Sequence, residues 1–259
     1  REDRTSTIHM VSAYAAANKL VLGQIKTDAK SNEITAIPDL LALLDIKGCL
    51  VSIDAMGCQT EIAETILQQG GDYLLAVKGN QPKLFEAVRQ ALAPLAATPL
   101  CAETMTLEKA HGRIDGREYH VMAAGELAAQ FPHWKQLHSI GVAISYRVEN
   151  MQKITIEQRY FISSKALVQD EFARAVRGHW AIENSLHWVL DVTMGEDDCP
   201  IYRGDAAEIL ACIRHMGLNM LRAETSRKAS VRRKQKIAGM SSEYLETVLN
   251  AGLKKLGEI

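Results

Sequence analysis

Apolar and polar positions recur along this chain in patterns that predict its elements in turn. Ser6 to Tyr14 and Leu20 to Thr27 read as two strands around a short polar turn at Ala17-Asn18-Lys19, which predicts an antiparallel hairpin. From Ser31-Asn32-Glu33 onward, Ile34, Ile37, Leu40, Leu41 and Leu44 recur at helical spacing, with Pro38 in the first turns, where a helix tolerates it. Leu50 to Ile53 is an apolar run of strand length, Thr60 to Leu67 follows as an amphipathic helix, and Asp72 to Val77 is a further apolar strand. A strand, helix, strand unit of this length predicts parallel pairing. A hairpin feeding such a unit predicts an α/β fold with a mixed sheet covered by helices.

Pro82 opens another helix, and the Ala- and Pro-rich residues 93 to 99 read as a linker. The pattern then shortens to strands at 117 to 123, 139 to 149 and 153 to 163, a largely β insertion or a continuation of the sheet. From Ala166 the chain is mostly helical, ending in amphipathic segments at 205 to 224 and 241 to 256. The expected organisation is therefore 1 to 99, 100 to 163 and 164 to 259.

Composition narrows the class of protein without naming it. With 259 residues and 47% hydrophobic content the chain can bury a sizeable core, near the upper size of one domain. Its formal charge of −1 and pI of about 6.8 mean that a nucleic-acid partner has to be met by local basic patches. Five scattered cysteines form no Cys-x-x-Cys pair, which fits a reducing compartment. No apolar run approaches the roughly 20 residues that span a bilayer, and Arg-Glu-Asp-Arg at the start lacks a signal-peptide core, so a cytoplasmic location and no membrane partner are expected.

Two carboxylates about 130 residues apart stand out. Asp54 ends the Leu50 to Ile53 strand, at the carboxyl end where open α/β sheets bind ligands. Glu183 lies in a helix where His179, Glu183, His187 and Asp191 repeat every fourth residue, while Ile182, Leu186, Val189 and Leu190 turn toward a core. Each has a plain alternative: a strand-end Asp caps the next turn, and a polar stripe is a solvated face. The His179-Trp180 and His187-Trp188 pairs predict that the stripe is partly enclosed, where a carboxylate needs a cation, a donor or a proton. Hard oxygen ligands suit magnesium, and the stripe lacks the His-Glu-x-x-His order of a zinc hydrolase, so zinc is the weaker reading.

Three further groups carry polar density. Lys78-Gly79-Asn80-Gln81 closes the Asp72 strand, either beside Asp54 or as an ordinary turn. His111, Arg113 and Arg117 share a Gly-rich stretch suited to phosphates, or an exposed hairpin loop. Between Arg222 and Lys236 lie seven Lys or Arg residues against Glu224 alone, a solvated tail or an electrostatic footprint for DNA.

The strings Lys30-Ser-Asn-Glu-Ile34, Ile53-Asp-Ala-Met-Gly-Cys-Gln59, Asp72-Tyr-Leu-Leu-Ala-Val-Lys-Gly-Asn-Gln81, His111-Gly-Arg113 and His179-Trp-Ala-Ile-Glu-Asn-x-Leu-His-Trp188 resemble the H-repeat-associated insertion-sequence transposases of bacterial Rhs elements. The resemblance implies a ribonuclease-H-like core in which two Asp and one Glu hold two Mg²⁺ ions, with Mn²⁺ as a substitute. It implies Asp54 as the second acidic residue and Glu183 as the third, both catalytic and metal-binding, with His179, Asn184 and His187 behind them. Lys78, Asn80, Gln81, His111, Arg113, Arg117 and Arg177 are the expected DNA contacts. The implied partners are double-stranded DNA, as transposon ends and target, and a second copy of the chain on paired ends.

The sequence departs from the family in two places. The family's first Asp lies in an Asp-Gly-Lys motif on a strand ahead of the hairpin, and neither Asp3 nor Asp28 carries that motif. The wider signature's Tyr, Arg and Lys around the Glu correspond to Val176, His179 and Leu190, with Arg177 nearby. The expectation is an N-terminally truncated transposase that binds catalytic metal weakly by itself. The alternatives are a DNA-binding remnant without catalysis and, more weakly, a zinc hydrolase on the histidine stripe.

Overall fold

The computed structural model describes residues 9–27, 33–96, 106–110, 113–149, 153–201 and 205–256. Two compact units share the chain, one formed by residues 37–179 and the other by 1–36 with 180–259.

The 37–179 unit is built on a six-stranded mixed sheet. Its strands are β3 (Leu50–Ile53), β4 (Asp72–Val77), β5 (Thr106–Ala110), β6 (Arg113–Ala123), β7 (Ser139–Glu149) and β8 (Lys153–Ser163), in the order β3-β4-β8-β7-β6-β5, with helix α1 (Glu33–Ala42) ahead of β3 in the chain and the short helix α4 (Glu126–Gln130) between β6 and β7. β3 and β4 are parallel, with Ile53 opposite Leu75, and the remaining pairs are antiparallel. The parallel pair needs a crossover, supplied by helix α2 (Thr60–Gln68), which buries Ile62, Ala63 and Ile66. Side chains alternate across a strand, and neighbouring Tyr160 and Phe161 show which helix covers which face. Tyr160 meets Phe85 of α3 (Pro82–Ala96) edge-on at 5.5 Å, whereas Phe161 meets Phe172 of α5 (Gln169–Ile182) at 5.6 Å. Gly141, opposite Phe161, makes the second contact possible: a Cβ there would come within 2.6 Å of the Phe172 ring and 3.0 Å of the His120 carbonyl oxygen.

The mixed sheet and its flanking helices agree with the pattern of the sequence. Strands 139 to 149 and 153 to 163 fall where alternation put them, and the strand expected at 117 begins earlier, at Arg113. Two expectations give way. Residues 93 to 96 belong to α3, because Leu84, Val88 and Leu92 continue a buried helical stripe that outweighs Pro94. Residues 113 to 117 lie in a strand paired on both sides, so the basic stretch is no open loop over those positions.

The other unit holds the hairpin, β1 (His9–Ala15) and β2 (Leu20–Thr27), paired antiparallel with an irregularity at Ala13/Tyr14. α7 (Ala206–Ala223) packs against β2, and α6 (Trp188–Met194), α8 (Val231–Met240) and α9 (Ser242–Leu256) pack against α7. Val21, Leu186, Leu190 and Leu218 form the unit's buried centre. Asn219 acts as a substitute strand for β2, accepting from the Val21 amide at 3.0 Å and donating to its carbonyl at 2.8 Å. A Cβ on Gly252 would reach within 3.2 Å of the Met220 Cα, so glycine lets α9 approach α7 closely. Patterning did not single out α8, nor β5 and the short helix Glu126–Gln130 in the 37–179 unit; in α8 the inward stripe of Val231, Lys234 and Ile237 contains a lysine.

Candidate functional site

Asp54 follows β3 directly and is exposed. Its Oδ1 accepts from the backbone N–H groups of Met56 at 3.1 Å and Gly57 at 3.3 Å, so the carboxylate caps the turn that leaves the strand. Gly57 is packed so close to the strand that a Cβ would lie 2.4 Å from Ile53 Cγ2. The turn is then held from the loop after β4, where the Asn80 side-chain amide donates to the Ala55 carbonyl at 2.6 Å and that of Gln81 to the Cys58 carbonyl at 3.0 Å. The parallel pairing of β3 and β4 is what brings the two loops side by side. Cys58, buried under the turn, has its thiol pushed up to about 12 by burial, which keeps it unreactive.

Asn80 and Gln81 thus touch the site through its backbone, while Lys78 is exposed in the same loop. Asn80→Ala is expected to cost about 1 kcal/mol, the usual worth of one such bond. The measurable result is faster amide exchange at Met56 and Gly57; unchanged exchange there would show that the bond does not hold the turn.

His179, on α5, reaches the same strand, with Nδ1 3.2 Å from Ser52 Oγ, two residues before Asp54. Arg177, the residue after the buried Val176, donates to Glu108 Oε1 at 2.9 Å. Glu108 also pairs with Arg117 at 3.1 Å, and the Arg117 bond, then the Arg177 charge and bond, hold its carboxyl below the usual range. Both arginines therefore spend part of their charge inside the fold, a link that the long separation in sequence conceals. His111 lies outside the described residues, as do the side chain of Arg113 and most of the Lys30 to Ile34 string.

In the other unit, Glu183 opens a π turn, Glu183–His187, between α5 and α6. The Trp188 amide donates to the Glu183 carbonyl, the i→i+5 bond that defines such a turn. A wider turn loosens the α-helical ladder, and the Arg222 guanidinium supplies a replacement by donating to the Ser185 carbonyl while also reaching the Lys19 carbonyl at 2.9 Å. Arg222 lies 5.8 Å from the Tyr14 ring as well, so the first cation of the basic block works internally. Leu186 anchors the turn in the core, whereas Glu183, Asn184 and His187 are exposed.

The expected enclosure by tryptophan fails at the His187-Trp188 pair, whereas His179 and Trp180 are both half-buried. Trp188 is 57% exposed, because it sits on the outer side of a helix whose inner side is taken by Leu186 and Leu190. Asp191 is less solvated, and its own burial and the neighbouring Asp197 carboxylate raise it above the usual range against the pull of His187. Among the described residues, no three His, Cys, Asp or Glu side chains are grouped so as to hold a metal ion. None of the described helices is long and apolar enough to cross a membrane.

Residues 1–220 match the transposase DDE domain family, and the chain belongs to it. It is 47% identical over 252 residues to "H repeat-associated putative transposase YhhI" and to "Putative protein YbfL", both of Escherichia coli K12, covering 95% of this chain and 66% of each relative. It is also 47% identical over 258 residues to "Putative transposase YncI" of Escherichia coli O157:H7, covering 98% and 66%. The chain thus spans just under two thirds of the length of these relatives. Among solved structures, the piggyBac transposase synaptic complex with hairpin DNA aligns with a TM-score of 0.43 and 11% identity, over 96% of this chain and 48% of that one.

Proposed function

We propose that the chain carries two of the three carboxylates of a DDE transposase, which cleaves DNA at transposon ends and transfers the strands to a target. The observation that carries this reading is the Asp54 turn. A lone capping Asp needs no support from a neighbouring loop, yet here Asn80 and Gln81 hold the turn by its carbonyls. Both turn bonds fall on Oδ1, leaving Oδ2 for a cation.

In this reading the core is ribonuclease-H-like, and Asp54 and Glu183 are the metal ligands. Their hard carboxylate oxygens fit Mg²⁺, with Mn²⁺ as substitute. The bound ions would activate a water or a 3′-hydroxyl and stabilise the leaving oxygen. His179, held by Ser52, and His187 and Asn184 on the π turn would orient ligands or phosphates. Lys78, His111 and Arg113 would meet DNA, with Arg117 and Arg177 contributing what charge Glu108 leaves them. A second copy of the chain would hold the second transposon end.

The remaining carboxylate, first in chain order, is by the family resemblance the Asp of an Asp-Gly-Lys strand ahead of the hairpin, so metal-dependent nicking of plasmid DNA is expected to require that strand. Nicking by the 259-residue chain alone, in Mg²⁺ or Mn²⁺ and lost on Asp54→Ala, would overturn the assignment. A second reading, DNA binding without catalysis, is favoured by the structural job that Asp54 already performs. It predicts that the chain joined to the preceding strand of a relative still fails to nick DNA in either metal.

A further inference from the structure

Between Thr225 and Met240 the chain has six Lys or Arg residues and no Asp or Glu, although its overall formal charge is −1. The fold sorts these six into two classes. Lys234 turns inward and is neutralised by Glu224, at 3.2 Å. Arg227, Lys228, Arg232, Arg233 and Lys236 are exposed.

The exposed five are displayed on a rigid support. Glu224 Oε1 accepts from the Arg227 amide at 3.1 Å and from Ser226 Oγ at 2.5 Å, fixing the turn ahead of α8. The Arg227 guanidinium lies 5.1 Å from the Tyr244 ring, and Ser230 caps α8 by accepting from the Arg233 amide at 3.3 Å. Arg232 and Arg233 occupy the first turn of α8, where the helix dipole favours acids and the first turn has none. Cations at the positive end of a helix are a local conflict, and such conflicts mark functional surfaces. An anion placed there would be drawn by the side chains and the dipole together.

We propose that the turn before α8 and the first two turns of that helix grip the phosphate backbone of duplex DNA, without reading sequence. The partner follows from charge complementarity: at least five cations on one short segment match a closely spaced row of phosphates, one per about 1.7 Å of duplex axis. The choice of DNA over another polyanion rests on the transposase reading above, but the site is separate from Asp54 and Glu183.

The test is anisotropy of a labelled 30-base-pair duplex titrated with the 259-residue chain at several salt concentrations. Arg232→Gln/Arg233→Gln/Lys236→Gln is expected to lower the slope of log affinity against log salt by about 2 to 3, since each phosphate contact contributes about 0.9. Lys47→Gln/Lys135→Gln/Lys254→Gln removes as much charge elsewhere and is expected to leave the slope unchanged. Equal slopes for the α8 variant and the parent, equal losses in both variants, or no duplex binding by the parent would each overturn the proposal, as would tighter binding of labelled polyglutamate than of the duplex. Binding retained by Glu183→Gln keeps this outcome distinct from the fate of the metal site. Because the three α8 side chains point to solvent, a matching melting curve is expected to show that the variant is folded.

Discussion

Glu183→Gln is expected to lower metal-dependent strand cleavage by about 10³-fold or more in a chain that includes the Asp-Gly-Lys strand, while duplex binding changes little. The amide keeps the size and hydrogen-bonding reach of the side chain but removes the charge that a divalent cation needs. Three decades of rate correspond to about 4 kcal/mol of transition-state stabilisation. The position of the residue makes the substitution clean. Glu183 is exposed, the π turn is held by its own backbone bond, by Leu186 and by Arg222, and none of these uses the carboxylate. A variant that loses cleavage together with its thermal stability would mean that Glu183 supports the turn. One that retains cleavage would remove it from the metal site.

Lys234→Met is expected to destabilise the unit containing α7, α8 and α9 by about 3–5 kcal/mol, the range for removing one partner of a buried ion pair. Glu224 is 1% exposed and receives the Lys234 ammonium, the Tyr244 hydroxyl at 2.5 Å and the Ser226 hydroxyl. Lys234 also donates to the Leu221 carbonyl at 3.2 Å and to the Glu224 carbonyl, satisfying the end of α7. Burial by itself raises the Glu224 carboxyl, but the bonds from Ser226, Tyr244, Lys234 and the Arg227 amide outweigh it and hold it down to about 2. A carboxyl that is lower when folded than its unfolded value of about 4.3 stabilises the fold above that value. Its contribution is lost as pH falls from there toward 2. Thermal unfolding should therefore show a steep acid loss in the parent and a shallower one in Glu224→Gln. Lys234→Met/Glu224→Leu should recover much of the single-variant loss, and simple additivity would refute the pairing.

The two units differ in how much their sequence disclosed. β7 and β8 were legible because they are long and rich in β-branched and aromatic residues, buried over Ser139 to Ile144 and Tyr160 to Ser163 and solvent-facing at Ile154 and Ile156, and β4 because a buried strand reads as a nearly continuous apolar run. Asp54 and Glu183 were singled out through their neighbours in sequence, and the structure shows the turn that each occupies. What stayed hidden were bonds that join distant segments by backbone atoms or by charge. Nothing near Asn80 announces that it holds the Ala55 carbonyl, and nothing near Arg177 or Arg117 announces Glu108. The basic block misled for the same reason. Seven like charges read as one surface, but Arg222 and Lys234 turn inward, and only the fold separates them from those that face solvent.

A loop held by its carbonyls is held by shape and not by identity. Every residue type offers the same carbonyl, so Ala55 and Cys58 can drift without loosening the support, whereas Asn80 and Gln81 have few substitutes that donate from the same reach. In a family whose members accumulate changes, the residues that record whether the Asp54 turn is still maintained are therefore found in the next loop along the sheet.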